Sequence, residues 1–118
     1  MEKTIKLNGE DLILEAKASN LMIYESQFGE DALPVMGKVV DAIRGETKVW
    51  DVGALPIARL TWTMAKTHDA DFPDFNKWFD SLETFPVIEV FNQICELVSV
   101  NLITKSDIKP KKVKRAED

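Results

Sequence analysis

At 118 residues, with 45% of them hydrophobic and 30% charged, the chain has the size and composition of one soluble globular domain. It contains no apolar run near the roughly 20 residues that a membrane-spanning helix needs, and its single cysteine excludes an intrachain disulfide. Residues 1–104 hold 9 Lys/Arg and 17 Asp/Glu, a net charge of −8, whereas residues 105–118 hold 6 and 3, a net charge of +3. We therefore predict a single acidic domain over 1–104 and a basic, disordered tail over 105–118.

The first predicted element is a β-hairpin within residues 1–17. Polar and apolar residues alternate over 3–7, and a second apolar-rich run over 11–16 follows the pair Asn8-Gly9. Asn-Gly between two such runs favours a type I′ turn, which requires positive φ at both central residues. A lone hairpin is only marginally stable in water, so we expect this one to pack on helices or to pair with another chain.

Residues 19–104 are typical of a bundle of about five helices, which together with the hairpin gives a mostly α, α+β fold. The third helix is apolar over so wide an arc that we place it at the centre of the domain. Ahead of it, Val49 and Trp50 end a polar loop and Asp51 is a plausible helix cap. The first expected helix runs from Ser19 or Asn20 to about 28, and the second from Leu33-Pro34 to Gly45. The third begins with Pro56 in its first turn. The fourth runs from 74 to about 82, and the fifth begins at Thr84 and Pro86.

The only histidine, His68, lies in the sequence His68-Asp69-Ala70-Asp71, which resembles a cluster of metal ligands. A zinc or other transition-metal site wants three or four spaced ligands, and the chain has neither a second histidine nor a cysteine pair. We interpret His68 as the end of one helix and Asp71 as the cap of the next. Because no serine lies in a nucleophile elbow and no glycines form a phosphate loop, we predict no catalytic residue, no metal, no cofactor and no enzymatic activity. We expect Cys95 to be a buried structural thiol.

The aromatic residues favour recognition of another protein, because tryptophan is enriched at the energetic centres of interfaces. Trp50 lies just ahead of a helix, where it can be half exposed, and we assign it to a protein-binding surface together with Tyr24 and Phe28. Four large side chains at helical spacing are predicted to form the core that shapes this surface. They are Trp62, Met64, Trp78 and Phe91.

A resemblance to a known family is carried by the sequence W-x-M-A-K-T over residues 62–67 and P-D-F-x-x-W over residues 73–78. Together with the hairpin and the segments 20–25 and 28–31, this pattern resembles the tail assembly chaperones of long-tailed phages and prophages of Gram-positive bacteria. The resemblance covers roughly residues 5–102. It implies a mostly helical protein that binds the tape-measure protein, keeps it soluble and helps to recruit tail-tube subunits.

The expected partners follow from this resemblance and from the charge. The resemblance implies the tape-measure protein and the tail-tube protein, and a place in the cytoplasm of the bacterial host but not in the mature virion. We also expect self-association in many copies along the tape-measure protein. No membrane partner is expected, and nucleic acid is disfavoured because the body is acidic. Two alternatives stay open: a structural tail component of the tail-completion or connector type, and a small helical DNA-binding regulator.

Overall fold

The computed structural model describes residues 1–102, so the predicted tail over 105–118 lies outside the described residues. Within them, the predicted α+β class is confirmed, with a two-stranded antiparallel hairpin and six helices. No helix in this part of the chain has the length and apolar content needed to cross a membrane. The elements are β1 (Glu2–Leu7), β2 (Glu10–Glu15), α1 (Ser19–Phe28), α2 (Leu33–Ile43), α3 (Val49–Val52), α4 (Ala54–His68), α5 (Phe75–Ser81) and α6 (Val87–Ser99).

The hairpin has the predicted turn, with φ angles of 53° at Asn8 and 81° at Gly9. It does not stand alone, because α6 packs along β1. The side-chain amide of Gln93 accepts a hydrogen bond from the backbone N–H of Lys6 at 2.9 Å and donates one to the carbonyl oxygen of Lys6 at 3.0 Å. The side chain of Gln93 on α6 therefore hydrogen-bonds the outward-facing N–H and C=O groups of Lys6 in β1. A neighbouring strand could otherwise pair with these groups.

The helix α4 is the centre of the domain, as its wide apolar arc predicts. It packs against β2, α1, α3, α5 and α6. Threonines join its apolar residues in the interior, and the hydroxyls of Thr61 and Thr63 donate to carbonyl oxygens one turn earlier. The buried positions of α4 are Ile57, Ala58, Leu60, Thr61, Trp62, Thr63, Met64 and Ala65.

A buried asparagine joins the hairpin to the helices. Asn20, a possible start of the first helix in the sequence, lies inside α1 and uses its side chain for tertiary contacts. Its Oδ1 accepts from the backbone N–H of Lys17 at 2.9 Å, and its Nδ2 donates to the carbonyl of Glu15 at 3.1 Å and to Oγ1 of Thr67 at 2.8 Å. These bonds fix the end of β2 against the end of α4, so that Glu15 lies beside His68.

Two local predictions are wrong, the first of them at Trp50. The segment Val49–Val52 is a single helical turn, not the end of a loop. The carboxylate of Asp51 lies inside this turn and accepts from the backbone N–H of Lys48 at 3.3 Å, so it does not cap α4. The helix α4 follows directly after Gly53, whose φ of 101° is a conformation that residues with a side chain rarely adopt.

The second correction concerns the turn between α4 and α5. His68 is the last residue of α4, as predicted. The cap of α5, however, is Asp74 and not Asp71, because the helix begins only at Phe75. The Asp74 carboxylate accepts from the backbone N–H of Lys77 at 2.9 Å, which is the usual geometry of an N-cap.

Candidate functional site

The three residues predicted to form a binding surface lie in different surroundings. Trp50 is 69% exposed on α3, with the ammonium of Lys48 at 5.5 Å from its ring centroid. Tyr24 is only 2% exposed, which corrects its assignment to the surface. Phe28 is half-buried and meets the Tyr24 ring at 4.9 Å and the Trp62 ring at 5.6 Å between centroids. Tyr24 and Phe28 are one turn apart on the face of α1 that packs on α4, so their spacing directs them inward.

The residues that carry the family resemblance close the turn after α4. The indole Nε1 of Trp62 donates to the carbonyl oxygen of Pro73 at 2.8 Å. The ammonium of Lys66 donates to the carbonyl oxygens of Ala70 and Phe72, each at 2.7 Å. These contacts hold the turn against α4, a structural role. The four predicted core residues are all buried: Trp62, Met64, Trp78 and Phe91.

An open cleft of ≈ 370 Å³ lies between α1 and the end of α4, and we call it the Lys66 cleft. Met22 is 70% exposed at this cleft, whereas Trp62, which also lines it, is buried. Its one cation, Lys66, already donates to the two carbonyls of the following turn. The cleft is lined by Met22, Ile23, Ser26, Gln27, Trp62, Lys66 and Ala70.

A second opening of ≈ 300 Å³ lies where the α1–α2 connection, α2, α3 and α4 meet, and we call it the Arg59 pocket. The guanidinium of Arg59 lies over the Phe28 ring, with Cζ at 5.0 Å from the ring centroid. Two carboxylates and a second cation also line the pocket. The lining residues are Tyr24, Glu30, Asp31, Pro34, Val35, Lys38, Val52, Pro56 and Arg59.

The electrostatics of the Arg59 pocket are unusual for a half-buried cation. The Nε of Arg59 is enclosed and has no hydrogen-bond acceptor among residues 1–102. Within the same residues, no carboxylate forms an ion pair with its guanidinium. Burial raises the pKa of Tyr24, while the charge of the Arg59 guanidinium and its hydrogen bonding lower that pKa and the charge of Glu30 raises it. Tyr24 and Arg59 both line the pocket.

A third group of polar side chains lies at the open end of the hairpin. Glu2 and Glu15 are direct cross-strand partners, so their carboxylates repel each other. The Nδ1 of His68 lies 3.4 Å from the Glu2 carboxylate and 3.8 Å from that of Glu15. These three side chains are close enough to share one cation. His68 ends α4 beside both carboxylates, and we assign no metal to this cluster.

Cys95 does not have the surroundings of an activated nucleophile. It is half-buried, so the thiol is less buried than predicted. Its Sγ–H donates to the carbonyl oxygen of Phe91 at 3.1 Å. Burial raises the pKa of the thiol, and the charge of Lys3 only partly opposes this effect. The side chain is therefore a thiol at neutral pH, whereas nucleophilic cysteines need a lowered pKa.

Sequence reasoning missed Arg59 as a site residue. Its signal is a charged side chain between Ala58 and Leu60, both of which are buried. A cation in such a position needs a partner or a route to water. The pocket itself is formed by segments from four parts of the chain, which no local pattern brings together.

Comparisons of this chain with models of known protein families, with curated proteins and with solved structures gave no match. The interpretation of the site therefore depends on its geometry and on the residue pattern over 62–78. That geometry contains an exposed tryptophan, a largely apolar cleft and a pocket with an unpaired guanidinium among the described residues.

Proposed function

We propose that this chain is a tail assembly chaperone that binds the tape-measure protein of a long-tailed phage or prophage. The observation that carries the proposal is the exposure of Trp50, at 69%, on a short helix of an otherwise acidic domain. A large aromatic ring held in water loses the free energy that its burial would give, and interfaces are the usual place where that burial occurs. The residue pattern over 62–78 supports the same family.

The surface properties suit a long, helical and partly apolar partner. Residues 1–104 carry a net charge of 9 − 17 = −8, which favours a basic or neutral segment over an acidic one. Met22 and Trp50, on separate helices, expose apolar area that an amphipathic helix can cover. Many copies bound along one tape-measure protein need only weak individual contacts. The protein would act in the host cytoplasm, recruit tail-tube subunits and be absent from the mature virion.

The direct test is co-expression with the tape-measure protein of the same phage or prophage. We expect the tape-measure protein to stay in the soluble fraction with the wild-type chain and to precipitate without it. Trp50→Ala should reduce the soluble fraction, whereas Ile88→Ala, at another exposed apolar residue, should not. Equal precipitation with and without the wild-type chain contradicts the chaperone function. Equal effects of the two variants contradict the role of Trp50.

Two measurements separate this function from its alternatives. Mass spectrometry of purified virions should detect a structural tail component and miss a chaperone. Titration of duplex DNA at low salt should give no shift, because a net charge of −8 over residues 1–104 opposes contacts with phosphates. Detection in the virion favours the tail component, and a salt-dependent DNA shift favours the regulator.

A further inference from the structure

We propose that the Arg59 pocket is a binding site for a carboxylate side chain, an Asp or Glu, carried by a protein partner. The identification of that partner as the tape-measure protein rests on the proposed function, whereas the ligand chemistry rests on the pocket alone. Arg59 is the anchoring group, Phe28 supports its guanidinium, and Tyr24 also lines the pocket.

The Arg59 guanidinium has no ion-paired carboxylate among the described residues. Charged groups that are taken out of water are normally paired, and an enclosed donor without an acceptor destabilises the fold. Among residues 1–102, Arg59 Nε has no acceptor and its guanidinium no ion-paired carboxylate. Asp31 lines the same pocket, but its Oδ1 accepts from the backbone N–H of Leu33 at 2.9 Å, at the start of α2.

The anion that best fits the Arg59 guanidinium is a carboxylate. Only Nε of the guanidinium is closed off without a partner, so its terminal nitrogens are the donors that a ligand reaches. Two parallel N–H groups of a planar guanidinium match the two oxygens of a carboxylate. Glu30 and Asp31 also line the pocket, and their charge opposes a doubly charged phosphate more than a singly charged carboxylate.

Exposed apolar residues near the pocket in the sequence favour a carboxylate that belongs to a protein. Three of the residues that line the pocket are Pro34, Val52 and Pro56. Each has an exposed apolar neighbour within two positions along the chain. These neighbours are Leu33, at 48% exposed, Trp50, at 69%, and Leu55, at 47%. A free anion makes no use of exposed apolar area, whereas arginine and tryptophan are both enriched in protein interfaces.

The ligand chemistry can be tested without any partner. In the ¹⁵N-labelled full chain, we expect N-acetyl-glutamate amide to produce saturable shifts of the Arg59 Nε–H and Tyr24 resonances. N-acetyl-glutamine amide, its neutral isostere, should produce none, and Arg59→Met should abolish the response. Inorganic phosphate is the competing probe. No saturable response to the glutamate probe, an equal response to the glutamine probe, or a stronger response to phosphate each overturns the proposal.

The source of the carboxylate is tested with the tape-measure protein. Arg59→Met should weaken its binding by about tenfold or more, as truncation of an interface arginine does, and Arg59→Lys should restore only part of it. Arg44→Met is the matched control, because Arg44 is exposed and does not line the pocket. Equal affinities of Arg59→Met and Arg44→Met overturn the inference and leave the proposed function intact. If the chain gives a saturable response to the glutamate probe but does not bind the tape-measure protein, the proposed function is contradicted. The assignment of the pocket as a carboxylate site is then kept.

Discussion

The Lys66 cleft and the Arg59 pocket differ in what their cation does, although both cations belong to α4. Arg59 and Lys66 are seven residues apart, which places them on the same face of the helix. Lys66 donates to two carbonyl oxygens of the turn that follows α4. Arg59 has an enclosed Nε without an acceptor among the described residues. A cation that its own chain satisfies stabilises the fold, whereas one without an ion-paired carboxylate among the described residues is available for a ligand.

The largest expected effect in this comparison is at Trp62, which forms the buried wall of the Lys66 cleft. We expect Trp62→Ala to lower the free energy of unfolding by about 3–5 kcal/mol, as truncations of large buried aromatics do. The variant also leaves the carbonyl of Pro73 without its indole donor. Urea denaturation measures the effect, with the exposed Trp50→Ala as control. An unchanged unfolding curve would show that Trp62 is not part of the core.

The next effect concerns Lys66 itself. Lys66→Met keeps an apolar side chain of similar length but removes the donor to the carbonyls of Ala70 and Phe72. We expect a loss of about 1–2 kcal/mol in the free energy of unfolding, because these are hydrogen bonds to a charged donor at a partly exposed site. Lys77→Met, an exposed change of the same type, provides the baseline in the same denaturation series. A loss no larger than that baseline would remove the structural role of Lys66.

The same substitution at Arg59 should have a much smaller effect on stability. Loss of the contact with the Phe28 ring costs about 0.5–1 kcal/mol. Removal of an enclosed donor without a partner offsets that cost, so we expect Arg59→Met to lie within about 0.5 kcal/mol of wild type or to be more stable. The comparison fails if Arg59→Met destabilises the chain as much as Lys66→Met does.

The smallest effect is a change in the titration of Tyr24. Burial raises its pKa, so the folded chain keeps the phenolic proton above pH 10.0, where the unfolded chain begins to lose it. The corresponding stability is fully present below pH 10.0 and is lost as the pH rises through the folded pKa. Because Arg59 lowers this pKa, Arg59→Met should move the folded midpoint further up.

The absorbance of tyrosinate measures this midpoint directly, because Tyr24 is the only tyrosine in the chain. Lys66→Met is the control and should leave the midpoint where it is in the wild-type chain. A midpoint that Arg59→Met leaves unchanged would show that the guanidinium does not face the phenol.

The sequence predicts the parts of this fold that local rules determine. The Asn8-Gly9 turn, the five longer helices and the central position of α4 all follow from turn chemistry and apolar periodicity. The turn α3 is missed because four residues are too few to show a helical period. The cap of α5 is assigned to the wrong aspartate because Asp71 and Asp74 both precede the helix and have the same chemistry.

The candidate site was less predictable, for two different reasons. Tyr24 belongs to the apolar stripe of α1 together with Leu21 and Phe28, and that spacing already argued for burial. Trp50 is exposed on α3, but nothing in its neighbourhood along the chain indicates a pocket beside that turn. The Arg59 pocket depends on tertiary packing, because its walls come from residues up to 35 positions apart in the chain, from Tyr24 to Arg59.

The amide of Gln93 has a consequence for the order in which the chain folds during synthesis. Its hydrogen bonds to Lys6 span 87 residues, and a bond from the Lys3 ammonium to the Gln93 carbonyl spans 90. The strand β1 is therefore made well before α6 and gains these contacts only after almost all of the described chain has left the ribosome. Until then, the backbone groups of β1 at Lys6 are open to pairing with a neighbouring nascent chain.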